Sequence, residues 1–453
     1  MKKKLIWAGV IFILVFVLPG FIFTWLGLSA GNPMANVEVG NGMSAKIACS
    51  ARFVSGFEPA RIRDDLASYT AAVDVLTVEI DDVAQRVTAS LFGFAAVSAQ
   101  YREGLGCTLE HGDTSALDKI VPPALPQSDA PWPAGSMVAT LNDDTQAYLT
   151  SMLARDNDDG LNTRALVVVR DGQITAEAYG EGISPETLLL GWSMGKSLTG
   201  IMMGTLQQQG LLDVAEHSLF PEWQDERGNI SIKNLLQMSS GLDFAEIYAP
   251  GSDATDMLFN AHSASAVARK QKLGKQPGEY FYYSSGTTNL LSQLYVERAG
   301  GLQSALETVV RDVYTPLGLQ NTLIEPDPSG VFVGSSYVYA TARDWARMAL
   351  VMLNGGEING QRVLSQEWVE ASTQPNGSAN DGRYGYQFWL NQGSDELRWP
   401  NLPADAYAMS GNRAQVVMTV PSESTIIVRL GWTQGRYPVD TNFKELLAYL
   451  AQS

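Results

Sequence analysis

Two hairpin patterns lie far apart in this chain, and the sequence between them reads mostly as helix. Ala165 to Arg170 turns at Asp171-Gly172 and returns through Gln173 to Tyr179, and Asp-Gly favours the left-handed turn of a two-residue hairpin. Near the other end, Gln415 to Val420 meets a Pro421-Ser422-Glu423-Ser424 turn and returns as Thr425 to Leu430. Thr145 to Leu153 reads as a helix before the first pair, and Phe443 to Ala451 as a closing helix after the second. Met194 to about residue 375 is mostly helical in pattern. This order predicts an α/β (α+β) domain over residues 138–453. Its antiparallel sheet is built from both ends of the segment, flanked by helices, with a helical subdomain inserted between them. An active site in such a domain lies at the seam.

The 453 residues are enough for a second domain, and 45% hydrophobic content is ample for its core. Lys2-Lys3-Lys4 precedes Leu5 to Ala30, which carries no charge and is long enough to span a bilayer. Leu28-Ser29-Ala30 makes a poor cleavage exit. Residues 1–32 therefore read as a transmembrane anchor in preference to a cleaved signal. The lysines stay cytoplasmic, so the body is expected outside the cytoplasm (periplasmic), or exported and soluble if cleavage occurs.

Residues 33–121 read as a small α+β module. It has a short helix over Phe57 to Tyr69 and strands over Val75 to Ile80, Arg86 to Phe92 and Phe94 to Tyr101. Cys49 and Cys107 are its two cysteines, and an oxidising compartment makes a disulfide between them the expectation. Prolines 122, 123, 126, 131 and 133 make residues 122–137 a stiff linker.

A net charge of −17 argues against nucleic-acid binding through a basic surface. The three histidines (His111, His217, His262) and two cysteines show no metal-ligand spacing, so neither a metal nor another cofactor is expected.

Chemistry concentrates in Gly191-Trp192-Ser193-Met194-Gly195-Lys196-Ser197, at the head of a helix that runs to about Leu212. Residues three apart share a helix face, which puts the Lys196 amine beside the Ser193 hydroxyl. A serine becomes a useful nucleophile when a neighbouring base takes its proton, and a lysine with a lowered pKa can do so. The same residues satisfy G-x-S-x-G, the nucleophile elbow of α/β-hydrolases, but that fold needs a late histidine and none follows residue 262. Gly195-Lys196-Ser197 lacks the earlier glycine of a phosphate loop, where Leu190 stands. Tyr283-Ser284-Ser285-Gly286 supplies a partner for a Ser/Lys pair. An ammonium stabilises a phenolate, Tyr283 can relay the proton to the leaving group, and Ser285 can hold Lys196 or substrate.

Trp192 to Ser197, then Leu235-Leu236-Gln237-Met238-Ser239-Ser240-Gly241-Leu242, then Pro277-Gly278 with Tyr283-Ser284-Ser285-Gly286, stand in a telling order. The chain resembles the β-lactamase-related serine hydrolases of class C type, most of all the 6-aminohexanoate-dimer (nylon-oligomer) hydrolases and related esterases. The resemblance covers residues 138–453 and implies the β-lactamase/transpeptidase-like fold. It also implies Ser193 as acyl-forming nucleophile, Lys196 as its base, Tyr283 as proton relay, and a small-molecule amide or ester substrate. Tyr248 resembles the tyrosine that lines the site in nylon-oligomer hydrolases.

The family's third motif, Lys or His followed by a small residue and Gly, is altered. The preferred register is Asn412-Arg413-Ala414, which makes the backbone N–H groups of Ser193 and Gln415 the oxyanion hole and leaves Asn412 and Arg413 to contact substrate. A register two or three residues earlier, through Ser410-Gly411, is the alternative. Loss of the cationic residue points away from β-lactamase or D-alanyl carboxypeptidase activity, the runner-up within enzymes. A catalytically silent binding or sensor protein on the same scaffold is the rival from outside them.

Overall fold

The computed structural model describes residues 33–69 and 71–452. The expected anchor over residues 1–32 lies outside them, and among the described residues no helix is long and apolar enough to cross a membrane. The chain divides into two units. The first runs to Arg102 and adds Cys107–Asp113 and Ala245–His262. The second takes Glu103–Gly106, Thr114–Phe244 and Ser263–Ser453.

In the first unit, β1 (Leu76–Asp81), β2 (Arg86–Leu91), β3 (Phe94–Arg102) and β4 (Gly106–Leu109) form one sheet in that order. The helix Pro33–Phe53 packs across β1, β2 and β3. No helix was expected there, because Asn41, Ser44, Lys46 and Ser50 break the apolar stripe. All four are buried. The disulfide joins Cys49 on this helix to Cys107 on β4. Residues 245–262, read from sequence as part of the large domain, belong to this unit through the helix Asp253–Phe259. A Cβ at Gly42 would come within 2.3 Å of the Phe259 carbonyl oxygen, so glycine is what permits that approach.

The second unit is built on a six-stranded antiparallel sheet. Its members are β5 (Thr163–Arg170), β6 (Gln173–Tyr179), β12 (Trp389–Leu390), β13 (Tyr407–Gly411), β14 (Gln415–Val420) and β15 (Thr425–Gly431). The strand order is β12-β13-β14-β15-β5-β6, so both ends of the segment meet at the β15–β5 pair, as the hairpin patterns predict. Ala165 to Val169 is fully buried because helices cover both faces. Asp143–Asp158 and Val439–Leu450 pack on one side through Leu149, Met152, Phe443 and Leu446. Ala342–Leu353 lies against β5, β14 and β15 on the sheet as well. Between β6 and β12 runs the inserted region, mostly helical. It carries a small sheet of β7 (Leu189–Leu190), β8 (Thr322–Ile324) and β9 (Val338–Ala340), and a ladder of β10 (Glu357–Ile358) and β11 (Gln361–Arg362).

The expected linker over residues 122–137 is packed into this unit instead. Trp132 is buried, donates its indole N–H to the Gly172 carbonyl at 3.0 Å, and lies under the Arg347 guanidinium at 4.4 Å. Arg347 also donates to the Pro133 carbonyl at 2.8 Å. Proline content suggested a spacer, but one large aromatic anchor is enough to dock it.

Candidate active site

The helix that carries Lys196 begins at Gly195, after a single tight turn over Trp192–Met194. Trp192 has φ 49°, a left-handed conformation that costs a bulky residue energy and marks a site held by its surroundings. The flanking glycines, which mimic an α/β-hydrolase elbow in sequence, have packing roles here. A Cβ at Gly191 would strike the Trp345 ring at 2.2 Å, and one at Gly195 would meet the Gly334 carbonyl oxygen at 2.6 Å. Close approach of the 334–338 segment therefore requires Gly195.

Lys196 is 1% exposed, and three oxygens meet its amine. Nζ donates to Ser193 Oγ at 3.0 Å, to Ser285 Oγ at 2.9 Å and to the Ser335 carbonyl at 3.1 Å. Ser193 keeps partial access to solvent. Tyr283 presents its ring face, with Lys196 Nζ 4.8 Å from the centroid. Two motifs far apart in sequence thus converge on one amine, together with the Ser335 carbonyl.

Local structure explains how they arrive. Ser284 caps the helix Ser285–Ala299 by accepting from the Thr287 N–H at 3.2 Å, which sets Ser285 in its first turn. The Leu235–Leu242 motif contributes backbone. The Met238 carbonyl accepts from the Tyr282 N–H at 2.8 Å and the Ser239 carbonyl from Gly278 at 2.7 Å, so this loop clamps the segment that carries Tyr283. Tyr283 also stacks on Trp389 at 5.0 Å and meets the edge of Tyr384 at 5.8 Å. Tyr384, Tyr386 and Phe388 are buried in the core, and burial pushes the Tyr384 hydroxyl well above its ordinary pKa. Trp389 is half-buried against Tyr283.

The family model described as Beta-lactamase matches residues 151–450. The chain belongs to the β-lactamase family. It is 31% identical to the 6-aminohexanoate-dimer hydrolase of Paenarthrobacter ureafaciens, over 46% of this chain and 56% of that protein. The chain thus spans little more than half the length of that relative. Among solved structures it resembles a penicillin-binding protein homologue from Caulobacter crescentus (17% identity, TM-score 0.55, 70% of this chain and 100% of the other). It also resembles the D-amino acid amidase of Ochrobactrum anthropi SV3 (15% identity, TM-score 0.53, 68% and 99%). At such identities the structures establish the fold.

In this β-lactamase-family chain the end of β13 lies against the serine. A Cβ on Gly411, at the end of β13, would lie 2.1 Å from the Gly191 carbonyl oxygen and 3.2 Å from the Ser193 nitrogen. Gly411, at the end of the Ser410-Gly411 stretch, is therefore laid against the serine. Gln415 sits on the next strand, opposite Gly411, and its buried side-chain amide is tied to both backbone groups of Gly431. Asn412 accepts from the Arg413 N–H at 2.9 Å. Arg413 is 8% exposed, with its guanidinium 5.8 Å from the Trp432 ring. The hairpin pattern drew attention to Gln415, which begins a strand, whereas Gly411 ends the one before.

The turn between these strands places both Arg413 and Ala414 at φ 60°. Arg429, wholly buried on β15, donates to their carbonyls at 3.2 and 3.0 Å and braces that strained turn. Burial pulls the Arg429 guanidinium down to about 10. Neither Arg429 nor Ser335 was anticipated. Ser335 acts through its carbonyl, which no side-chain pattern reveals, and Arg429 sits in an otherwise apolar strand where an arginine is a signal in itself.

Tyr248, expected to line the site, lies in the first unit. It is 59% exposed, and its hydroxyl donates to Glu246 at 2.8 Å. The histidines are engaged elsewhere. His111 Nε2 is 2.8 Å from the Phe259 carbonyl, His262 Nδ1 is 2.6 Å from the His111 carbonyl, and His217 is beside Ser218. Among the described residues no cluster could hold a metal ion.

Proposed function

We propose that the chain is an extracytoplasmic serine hydrolase, anchored through residues 1–32, that cleaves a small amide or ester through an acyl-enzyme. The observation that carries this reading is the sealed Lys196 amine 3.0 Å from the Oγ of a serine that solvent still reaches. In the proposed reaction Lys196 reacts as the neutral amine and takes the hydroxyl proton as Ser193 Oγ attacks the substrate carbonyl carbon. The developing oxyanion is met by the backbone N–H groups of Ser193 and Asn412, the residue after Gly411. Collapse breaks the C–N or C–O bond, and Tyr283 donates its proton to the leaving group and regains one by way of Lys196. Water then repeats the sequence to release the acid.

Met409 stands where relatives carry the cationic residue of the third motif, if Gly411 is that motif's glycine. It is buried and uncharged. This favours esters and amides that are not held by a carboxylate, over β-lactams and D-alanyl peptides. The Cys49–Cys107 disulfide fits the proposed oxidising compartment.

The test is to expose the full chain in detergent to a fluorophosphonate and to p-nitrophenyl acetate, and to locate any adduct by mass spectrometry. An adduct on Ser193 with ester turnover is expected. Labelling at another serine, or none from folded protein, overturns the reading, and covalent labelling by penicillin would move it to the runner-up.

A further inference from the structure

Exposed apolar side chains gather at one end of the first unit. The Asn41 side chain donates to the Phe94 and Ala95 carbonyls, at 3.4 and 2.7 Å, which fixes the β2–β3 turn beside the early part of the helix Pro33–Phe53. At the helix's other end Arg52 pairs with Asp82 in the β1–β2 turn at 2.8 Å. The far end therefore carries Asp81, Asp82 and Glu58, whereas the near end carries Phe92-Gly93-Phe94-Ala95-Ala96, exposed throughout. Phe92 and Phe94 are 75% and 76% exposed.

Other apolar groups gather at the same end. Met34 is in the first turn of the helix, and Val75 immediately precedes β1, whose Leu76 pairs with Leu91. The loop before the helix Asp253–Phe259 brings Ile247 and Tyr248, and Gly251 of that loop lies against Ala35. Met34, Val75, Phe92, Phe94, Ile247 and Tyr248 make up half of the large apolar side chains exposed among the described residues. Residues 33 to 41 rise only about 12 Å. In sequence, the uncharged segment Leu5–Ala30 ends three residues before Pro33, where this helix begins.

We propose that these six side chains form a collar that enters the interface of a zwitterionic lipid bilayer around the point where the chain emerges from it. The inference rests on the anchor reading of residues 1–32. An aromatic and aliphatic rim at the headgroup level is where such residues are favoured, and tyrosine suits it because its ring is apolar and its hydroxyl polar. Glu38, Asp74 and Glu246 at the same end argue for zwitterionic over anionic lipid.

The test uses the full chain reconstituted in phosphatidylcholine vesicles. Both native cysteines are in the buried disulfide, so Phe94→Cys and Val83→Cys can each carry one bimane label. Val83, 96% exposed in the far turn, is the control. Brominated lipid is expected to quench the label at 94 several-fold more than the label at 83. Equal, weak quenching at both positions in chains that float with the vesicles overturns the collar and leaves the anchor standing. Failure to float overturns both. A label at 94 shielded from aqueous iodide yet untouched by brominated lipid also overturns it, since protein would then cover the patch.

Discussion

Lys46 and Lys196 are both sealed in protein, 2% and 1% exposed, and each reaches a serine hydroxyl near it in sequence. Lys46 Nζ is 3.2 Å from Ser50 Oγ, and Lys196 Nζ is 3.0 Å from Ser193 Oγ. The surroundings separate them. Ser50 is fully buried within a regular helix, and its lysine is also bound to the Cys107 carbonyl at 2.8 Å, beside the disulfide. Ser193 sits in a tight turn outside the regular helix, partly open to solvent, with Gly411 laid against its nitrogen. A Ser–Lys contact is chemistry only where a substrate can reach the hydroxyl and fixed N–H groups can meet the charge that develops. Elsewhere the same contact is a buried hydrogen bond.

Rate should divide the two pairs most sharply. Ser193→Ala is expected to lower kcat/KM for p-nitrophenyl acetate by roughly 10⁴-fold or more and to abolish fluorophosphonate labelling. Ser50→Ala should leave both unchanged. Lys196→Ala comes next, with a loss of roughly 10²- to 10⁴-fold that steady-state kinetics would register. A near-normal rate in that variant would mean that another group takes the proton from Ser193.

Gly411→Ala tests the backbone half of the contrast. Its methyl would point at the Gly191 carbonyl oxygen from 2.1 Å, so β13 must move away from Ser193. A loss of roughly 10²- to 10³-fold in kcat is expected, the size associated with an oxyanion donor. Gln415→Ala should instead cost about 1–3 kcal/mol of stability through the unpaired groups of Gly431, with little change in kcat. The reverse pattern, kcat lost at Gln415 and kept at Gly411, would restore the register through Asn412-Arg413-Ala414.

The sheet was legible because both of its hairpins are local patterns, and the β15–β5 pair that joins them leaves few other ways to bury two apolar strands. The Ser193, Lys196 and Ser285 meeting was legible from side chains whose chemistry is specific. What sequence hid was backbone and context. The Ser335 carbonyl, the clamp from Met238 and Ser239, and the Gly411 contact involve no distinctive side chain. The helix Pro33–Phe53 was hidden for a different reason. It is enclosed by β-strands and by residues 253–259, so polar side chains lie inside it and the usual periodicity fails. That the segment of Tyr248 folds with the first unit was hidden for the same kind of reason, since nothing local shows it.

The smallest effect expected is at Lys46, and it bears on the comparison from the structural side. Lys46→Met keeps the length and apolar stem of the side chain but removes the donor to the Cys107 carbonyl and to Ser50 Oγ. A buried carbonyl left without its bond costs about 1–3 kcal/mol, partly offset because the ammonium no longer has to be buried. Urea unfolding followed by circular dichroism should therefore show a modestly lower midpoint, while the rate of fluorophosphonate labelling at Ser193 stays at its original value. The two readouts separate the roles cleanly. If Lys46→Met abolished labelling without lowering the midpoint, the first unit's lysine would belong to the chemistry, and burial beside a serine would be a better guide to function than access to it.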